Sequence, residues 1–125
     1  MQEGYHKFYE TIIWKESFEM EKKIFSLTKT FPRNEMYGLV DQLNRSSNSV
    51  LANIAESHGR FYFLDKIRVL YIVRGEIQEI QSHLIVSAER DYLNKETLEN
   101  FLNSYEKIKS LVNKMINELK NQSKD

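Results

Sequence analysis

The chain contains few of the residues that interrupt a helix. Its 125 residues include one proline and four glycines, and these two residues mark most turns and chain reversals. A β-rich domain of this length would need many turns between short strands. The scarcity of proline and glycine therefore favours a few long helices joined by short connections.

Apolar residues recur at spacings of three, four and seven along four segments, which is the period of an amphipathic helix. The segments are separated at Pro32, at Gly59 and at the polar stretch "DYLN". The pattern predicts helices at about residues 9–29, 35–57, 62–90 and 95–120. Short connections force consecutive helices to run antiparallel. We therefore expect one all-α domain over residues 1–125, an up-down-up-down four-helix bundle.

Composition narrows the classes of function. The chain has no cysteine, which excludes disulfides, thiolate metal sites and cysteine nucleophiles. Lys plus Arg equals Asp plus Glu, at 18 each, so net charge alone would not hold nucleic acid or anionic lipid. The longest apolar run, "VLYIV", is too short to span a bilayer, and the first residues do not resemble a secretory signal. We expect a cytoplasmic protein with no membrane partner.

The second predicted helix contains the unusual stretch "RSSNSVLANIAESHGR". At 100° per residue its apolar side chains form a core stripe, and a polar stripe lies about a third of a turn away. The members of the polar stripe are Gln42, Ser46, Ser49, Asn53, Glu56 and Arg60. Two interpretations are open. The stripe could satisfy its hydrogen bonds within the bundle margin, or it could contact another subunit or a polar ligand.

The third predicted helix is apolar on every side between Val69 and Val73. A small bundle buries only one stripe of a helix. Tyr71 and Ile72 cannot both share the face of Leu70, so we expect them to meet another chain.

The signature of a known family then becomes visible. The residues that carry it are Phe31, Pro32, Glu35, Gly38, Leu39, Gln42, Leu43, Arg45, Ser49, Asn53, Ile54, Ala55, Glu56, Gly59 and Arg60, followed in the third helix by Gly75, Glu79, Leu84, Tyr92 and Leu93. This pattern resembles that of the four-helix-bundle proteins encoded by intervening sequences in large-subunit ribosomal RNA genes. The resemblance covers nearly the whole chain.

The resemblance implies a homopentamer with a central channel. A distant branch with the same bundle is the accessory variability determinant of diversity-generating retroelements. In that branch the resemblance implies binding to RNA and to a reverse transcriptase. For most members of the family no activity is established.

Charge is distributed unevenly along the chain. From residue 33 to 74 there are six basic and four acidic residues, whereas residues 76 to 91 contain four acidic residues and one arginine. Repetition around a ring would enlarge a modest basic excess. We predict phosphate contacts at Arg60, Lys66, Arg68 and Arg74. The alternative is that these are solvated charges and intersubunit ion pairs.

The sequence lacks the residue patterns of the common classes of catalytic site. A di-metal carboxylate bundle needs two Glu-x-x-His pairs, and the nearest approach is Glu76, Glu79 and His83, with no second pair. A P-loop, a dinucleotide fingerprint or a nucleophile elbow would each need glycines that the chain does not have. We therefore expect no metal, no cofactor and no catalytic residues.

The hypothesis is a non-enzymatic adaptor that forms a ring and binds RNA or another nucleic acid through a basic surface. The alternative is a structural or protein-interaction module, for example a reverse-transcriptase partner, without nucleic-acid contact. We expect one set of residues to secure the bundle and the subunit interface: Gln42, Arg45, Ser49, Asn53, Glu56, Tyr71 and Ile72.

Overall fold

The computed structural model describes residues 7–123, and every regular element in that range is helical. The four long helices are α1 (Ile12–Thr28), α2 (Leu39–Gly59), α3 (Phe63–Glu89) and α4 (Lys95–Ser123). Each packs against its neighbours along the chain, and α1 also packs against α4, whereas α1 and α3 lie diagonally across the bundle. The expected all-α four-helix bundle is confirmed.

The core is built from the stripes that the helical period predicts. Ile24 of α1, Leu43 of α2 and Ile108 of α4 are almost fully buried. On α3 the fully buried side chains Leu70, Ile77 and Leu84 are spaced by seven residues, so they stay on one face along four turns. Burying a side chain of this size stabilises a fold by about 1.5–3 kcal/mol, and each helix contributes several.

Both ends of α3 and the start of α4 lie within one residue of the predicted positions, whereas other helix ends differ. A 3₁₀ turn, Phe8–Glu10, precedes α1, which begins at Ile12 with Thr11 as its cap. The polar residues after Lys120 continue α4 to Ser123, since none of them breaks a helix. Asn94 caps α4 as expected, because its side-chain oxygen accepts a hydrogen bond from the Thr97 amide at 2.8 Å.

The largest difference lies at the start of α2, which begins at Leu39 and not near residue 35. Residues Arg33–Glu35 form a 3₁₀ turn, and Glu35 is buried. Its carboxylate accepts a hydrogen bond from the Leu39 amide at 3.2 Å, which satisfies one of the donors that a helix start leaves unpaired. Glu35 therefore precedes α2 and caps it, and is not part of the helix as the sequence pattern predicted.

The same carboxylate reaches the other turn at this end of the bundle. Arg90 and the Tyr92 hydroxyl both donate to Glu35 Oε2, at 2.7 and 2.8 Å. The turn that carries Arg90 and Tyr92 requires Asp91 to adopt a left-handed conformation (φ 64°), which aspartate tolerates better than most residues. The hydrogen bonds from Tyr92 and Leu39, followed by the interactions with Arg90, lower the pKa of Glu35 despite its burial.

Gly38 makes room for this arrangement. A Cβ at position 38 would lie 2.8 Å from Glu35 Oε1, which is closer than real contacts allow. The carboxylate cannot move aside without weakening its bonds to Leu39, Arg90 or Tyr92. The Glu35–Gly38 pair in the signature therefore has a steric explanation.

We expect Gly38→Ala to lower the free energy of unfolding by about 1–3 kcal/mol, because the new methyl group overpacks a fixed carboxylate. Gly59→Ala is the matched control, since a Cβ there has nothing within 4 Å, and its effect is expected within about 0.5 kcal/mol. Urea denaturation measures both. Equal stability of the two variants would contradict the steric role of Gly38.

The Glu35 carboxylate also predicts a dependence on pH. Its pKa in the folded chain lies below its ordinary value of 4.5. Its stabilising contribution is therefore complete above about pH 4.5 and is lost as the pH falls through the folded pKa. We expect Glu35→Gln to unfold at lower urea than the wild type at pH 7, with the two midpoints converging at acid pH. The exposed Glu19→Gln serves as the control, and a gap between wild type and Glu35→Gln that stays constant with pH would contradict this role.

Candidate nucleic-acid interface

The polar stripe of α2 faces α3. Asn53 Nδ2 donates to both carboxylate oxygens of Glu76 at 3.2 Å. Ser46 Oγ lies 3.4 Å from Glu79 Oε2, which also lies 3.4 Å from His83 Nε2. These contacts define a polar seam between α2 and α3, made of Ser46, Asn53, Glu76, Glu79 and His83. Ser46 and Asn53 thus form hydrogen bonds within the bundle, which is the first of the two interpretations of the polar stripe, and the groups that they bond are carboxylates of α3.

Glu76 is the most perturbed carboxyl group of the seam. Partial burial raises its pKa, the hydrogen bond from Asn53 opposes this shift, and the negative charge of Glu79 adds to it. Asn53 therefore stabilises a charge that burial disfavours. The seam carries two carboxylates, which would repel a phosphate.

The other residues expected at a subunit interface on α2 differ in exposure. Gln42 and Arg45 are exposed, and Arg45 Nε lies 3.9 Å from an oxygen of Asp41, a spacing at which an exposed ion pair contributes little. Ser49 is half-buried. Glu56 forms an ion pair with Arg60 one turn later. The role of these residues at a subunit interface stays a prediction.

Three of the four predicted phosphate contacts have partners close by in the sequence. Arg60 is paired with Glu56, and Arg68 lies 3.8 Å from Asp65. Lys66 Nζ donates to the carbonyl oxygens of Ser57 and His58 at 3.3 and 2.7 Å. It thus bonds two carbonyls in the last turn of α2, where helix carbonyls lack partners further along the helix.

Arg74 differs because the residue that it bonds is distant in the sequence and lies on α4. Its guanidinium donates to Asn113 Oδ1 of α4 at 2.6 Å, and its central carbon lies 4.8 Å from the centre of the Tyr71 ring. Lys120 Nζ of α4 lies 5.6 Å from the same ring. Lys120, through hydrogen bonding and its charge, and Arg74 together lower the pKa of the Tyr71 hydroxyl. We call Tyr71, Arg74, Asn113 and Lys120 the α3–α4 cluster.

Sequence reasoning missed the α4 members of this cluster. Asn113 and Lys120 are seven residues apart, so they share one face of α4. Lys109, four residues before Asn113, bonds Gln78 of α3 at 2.8 Å and pairs with Glu106. The helical period of α4 places these residues on one polar face. Only the packing of α4 against α3 shows that this face adjoins Tyr71.

The outer surface of α3 also carries uncovered apolar side chains. Tyr71 and Ile72, the two residues expected outside the core, are 39% and 46% exposed. Leu64, Ile85 and Val86 are exposed too. Ile72 is the sequence neighbour of Tyr71, and the other three lie elsewhere along the same helix.

Other kinds of site are not found in the described part of the chain. Among residues 7–123 no three His, Asp or Glu side chains are grouped so that they could hold a metal ion. Over the same residues no helix is long and apolar enough to cross a membrane.

Comparison with known proteins places the fold. Residues 9–114 match the family model described as "23S rRNA-intervening sequence protein". A crystal structure of a protein of unknown function from the S23 ribosomal protein family of Bacteroides thetaiotaomicron is similar to this chain, with a TM-score of 0.78 and 25% identity. The match covers 85% of this chain and 96% of that one. No curated protein matches the chain.

The hydrogen bond across the seam can be tested by Asn53→Ala. We expect a loss of about 1 kcal/mol at pH 7, because the ionised Glu76 loses its donor in a half-buried position. The deficit should shrink below the pKa of Glu76, since a protonated carboxyl needs that donor less. Gln42→Ala, on the exposed part of the stripe, is the control. Urea unfolding at pH 7 and pH 4 measures both, and a deficit that does not change with pH would rule out this pairing.

Proposed function

The chain belongs to the family of 23S rRNA-intervening sequence proteins, and on that premise we propose that it is a non-enzymatic adaptor. It assembles into a ring, with five subunits, and binds RNA through the outer surface of α3 and α4. The observation that carries this proposal is the α3–α4 cluster. There, two cations from different helices surround one exposed aromatic ring beside uncovered apolar side chains.

The distribution of ion pairs supports Arg74 and Lys120 as the main phosphate contacts. Arg60 and Arg68 each have a carboxylate within their own helical turn, which reduces their attraction for a phosphate. Arg74 and Lys120 instead lie around a neutral ring and an amide. Arginine and lysine beside an aromatic side chain suit single-stranded RNA, whose bases are available for stacking and whose phosphates attract cations. Arg60, Lys66 and Arg68 stay predictions as secondary contacts.

Assembly into a ring is supported by the apolar surface of α3. Ile72 and Leu64 expose large apolar areas on a helix that is otherwise well packed, and grouped exposed apolar side chains often mark interaction sites. A ring repeats the cluster in every subunit. A neutral chain can then present a positive field to RNA, because the field of each copy adds to that of its neighbours.

The same apolar surface favours a second candidate. The protein could be an interaction module for another protein, such as a reverse transcriptase, with no contact to nucleic acid. The two candidates differ in what charge reversal does. An adaptor loses its RNA when the cations of the α3–α4 cluster are reversed, whereas a protein-only module has no RNA binding to lose.

The experiment reverses both cations, as Arg74→Glu with Lys120→Glu. Binding of a fluorescently labelled single-stranded RNA is followed by fluorescence anisotropy over a range of salt concentrations, and solution mass is measured by light scattering after size exclusion. We expect loss of RNA binding at unchanged mass. For wild-type protein, each phosphate contact contributes about 0.7 to the slope of log affinity against log salt.

The matched control is Lys22→Glu with Lys23→Glu on α1, which lies diagonally opposite α3. It changes the net charge by the same amount away from the cluster, and we expect it to retain most of the RNA affinity. Equal losses in the two double variants would show only a general charge effect. A wild-type protein that is monomeric would contradict the ring. Absence of RNA binding by the wild type at low salt would contradict the adaptor and favour the second candidate.

A further inference from the structure

A cavity of about 280 Å³ lies at the end of the bundle where α1 and α3 begin and α2 and α4 end. All four helices contribute to its wall. Its apolar lining residues are Ile13, Ile54, Phe63, Met115 and Leu119. This end is opposite the one held by Glu35, and the cavity is separate from the α3–α4 cluster, with which it shares no residue.

One part of the wall is positively charged. Lys66 lines the cavity together with Ser57 and His58, whose carbonyl oxygens accept hydrogen bonds from its ammonium group. An ammonium group has three N–H donors. The two carbonyls accept two of these donors, and the third can donate to a further acceptor. Ser57 Oγ donates to the Lys66 carbonyl at 2.9 Å, which holds the start of α3 against the end of α2.

Partial burial gives this lysine a reason to bind an anion. Desolvation lowers the pKa of the Lys66 ammonium, so its charge is under-compensated where it lies. An anion at the cavity wall would restore part of the lost solvation. Glu118, on the α4 side of the cavity, is exposed, and its negative charge would repel an anionic group toward Lys66.

The size of the cavity limits the ligand. An apolar cavity of about 150 Å³ accommodates benzene, so this one has room for roughly twice as many atoms, about twelve apart from hydrogen.

We propose that this cavity binds a small molecule with an apolar body and a single anionic head group, such as a medium-chain carboxylate. The body contacts Ile54, Phe63 and Leu119, and the carboxylate accepts the remaining N–H of Lys66. The cavity takes one molecule per chain. This site is independent of RNA binding at the α3–α4 cluster.

The test uses decanoate as the probe and decanol as its neutral counterpart. Isothermal titration calorimetry measures affinity, and shifts in the amide NMR spectrum show where each probe binds. We expect saturable binding of decanoate with shifts at the bundle end around Ile13, Ile54 and Leu119. Decanol should bind about tenfold more weakly, because it lacks the charge-assisted hydrogen bond.

Three variants locate the body and the head of the ligand. Leu119→Trp fills the cavity and should abolish binding of both probes. Lys66→Met should bring the affinity for decanoate down to that for decanol, whereas Glu118→Gln should strengthen decanoate binding and leave decanol unchanged. Lys23→Met, on the exposed surface of α1, is the control for loss of a lysine.

Circular dichroism and urea unfolding establish that each variant is folded, since Lys66 also caps α2. If Lys66→Met fails to fold, the Glu118→Gln and Leu119→Trp variants still decide the matter. The proposal is overturned if decanoate shows no saturable binding, if decanol binds equally well, or if folded Leu119→Trp binds decanoate like the wild type. These outcomes are read from decanoate and decanol binding alone and do not test RNA binding at the α3–α4 cluster, so the two proposals fail separately.

Discussion

The structure depends on the contacts of one buried carboxylate. Glu35 accepts hydrogen bonds from the amide of Leu39 at the start of α2 and from Arg90 and Tyr92 after α3. It therefore ties the two turns at this end of the bundle to each other. Successive residues of a helix advance by about 100°, so the point at which α2 begins sets the direction of every side chain along it. Gly38 leaves room for this contact, because any larger residue would collide with the carboxylate.

With its start fixed, α2 presents two adjacent stripes to different neighbours. Its apolar stripe, represented by Leu43 and Ile54, enters the core. Its polar stripe meets α3, where Asn53 bonds Glu76 and Ser46 lies near Glu79. Small polar side chains explain the unusual composition of this helix, since they allow close approach to α3 and still donate hydrogen bonds to its carboxylates. Large apolar residues at those positions would leave the carboxylates without donors.

Tertiary contacts also divide the basic residues into groups that composition cannot distinguish. Arg60 and Arg68 are paired within their own turns, and Lys66 bonds the carbonyls at the end of α2. Arg74 alone of the four predicted phosphate contacts reaches across to α4, where Lys120 approaches the same Tyr71 ring. A chain with equal numbers of acidic and basic side chains can therefore have regions of quite different character: an acidic seam on α2 and α3, a basic aromatic cluster on α3 and α4, and an apolar cavity beside Lys66 at one end.

The amino-acid sequence by itself determined the four helices, their antiparallel order and most of the core, because periodicity and chain breakers are local properties. It also marked Tyr71 and Ile72 as residues that the core does not bury. It did not determine where α2 begins, because Glu35, whose carboxylate caps that helix at Leu39, is held in place by Arg90 and Tyr92 more than fifty residues away. Nor could it place Lys120 beside Arg74, or form the cavity at the bundle end. Those features depend on which faces of different helices meet, and only packing of the whole chain decides that.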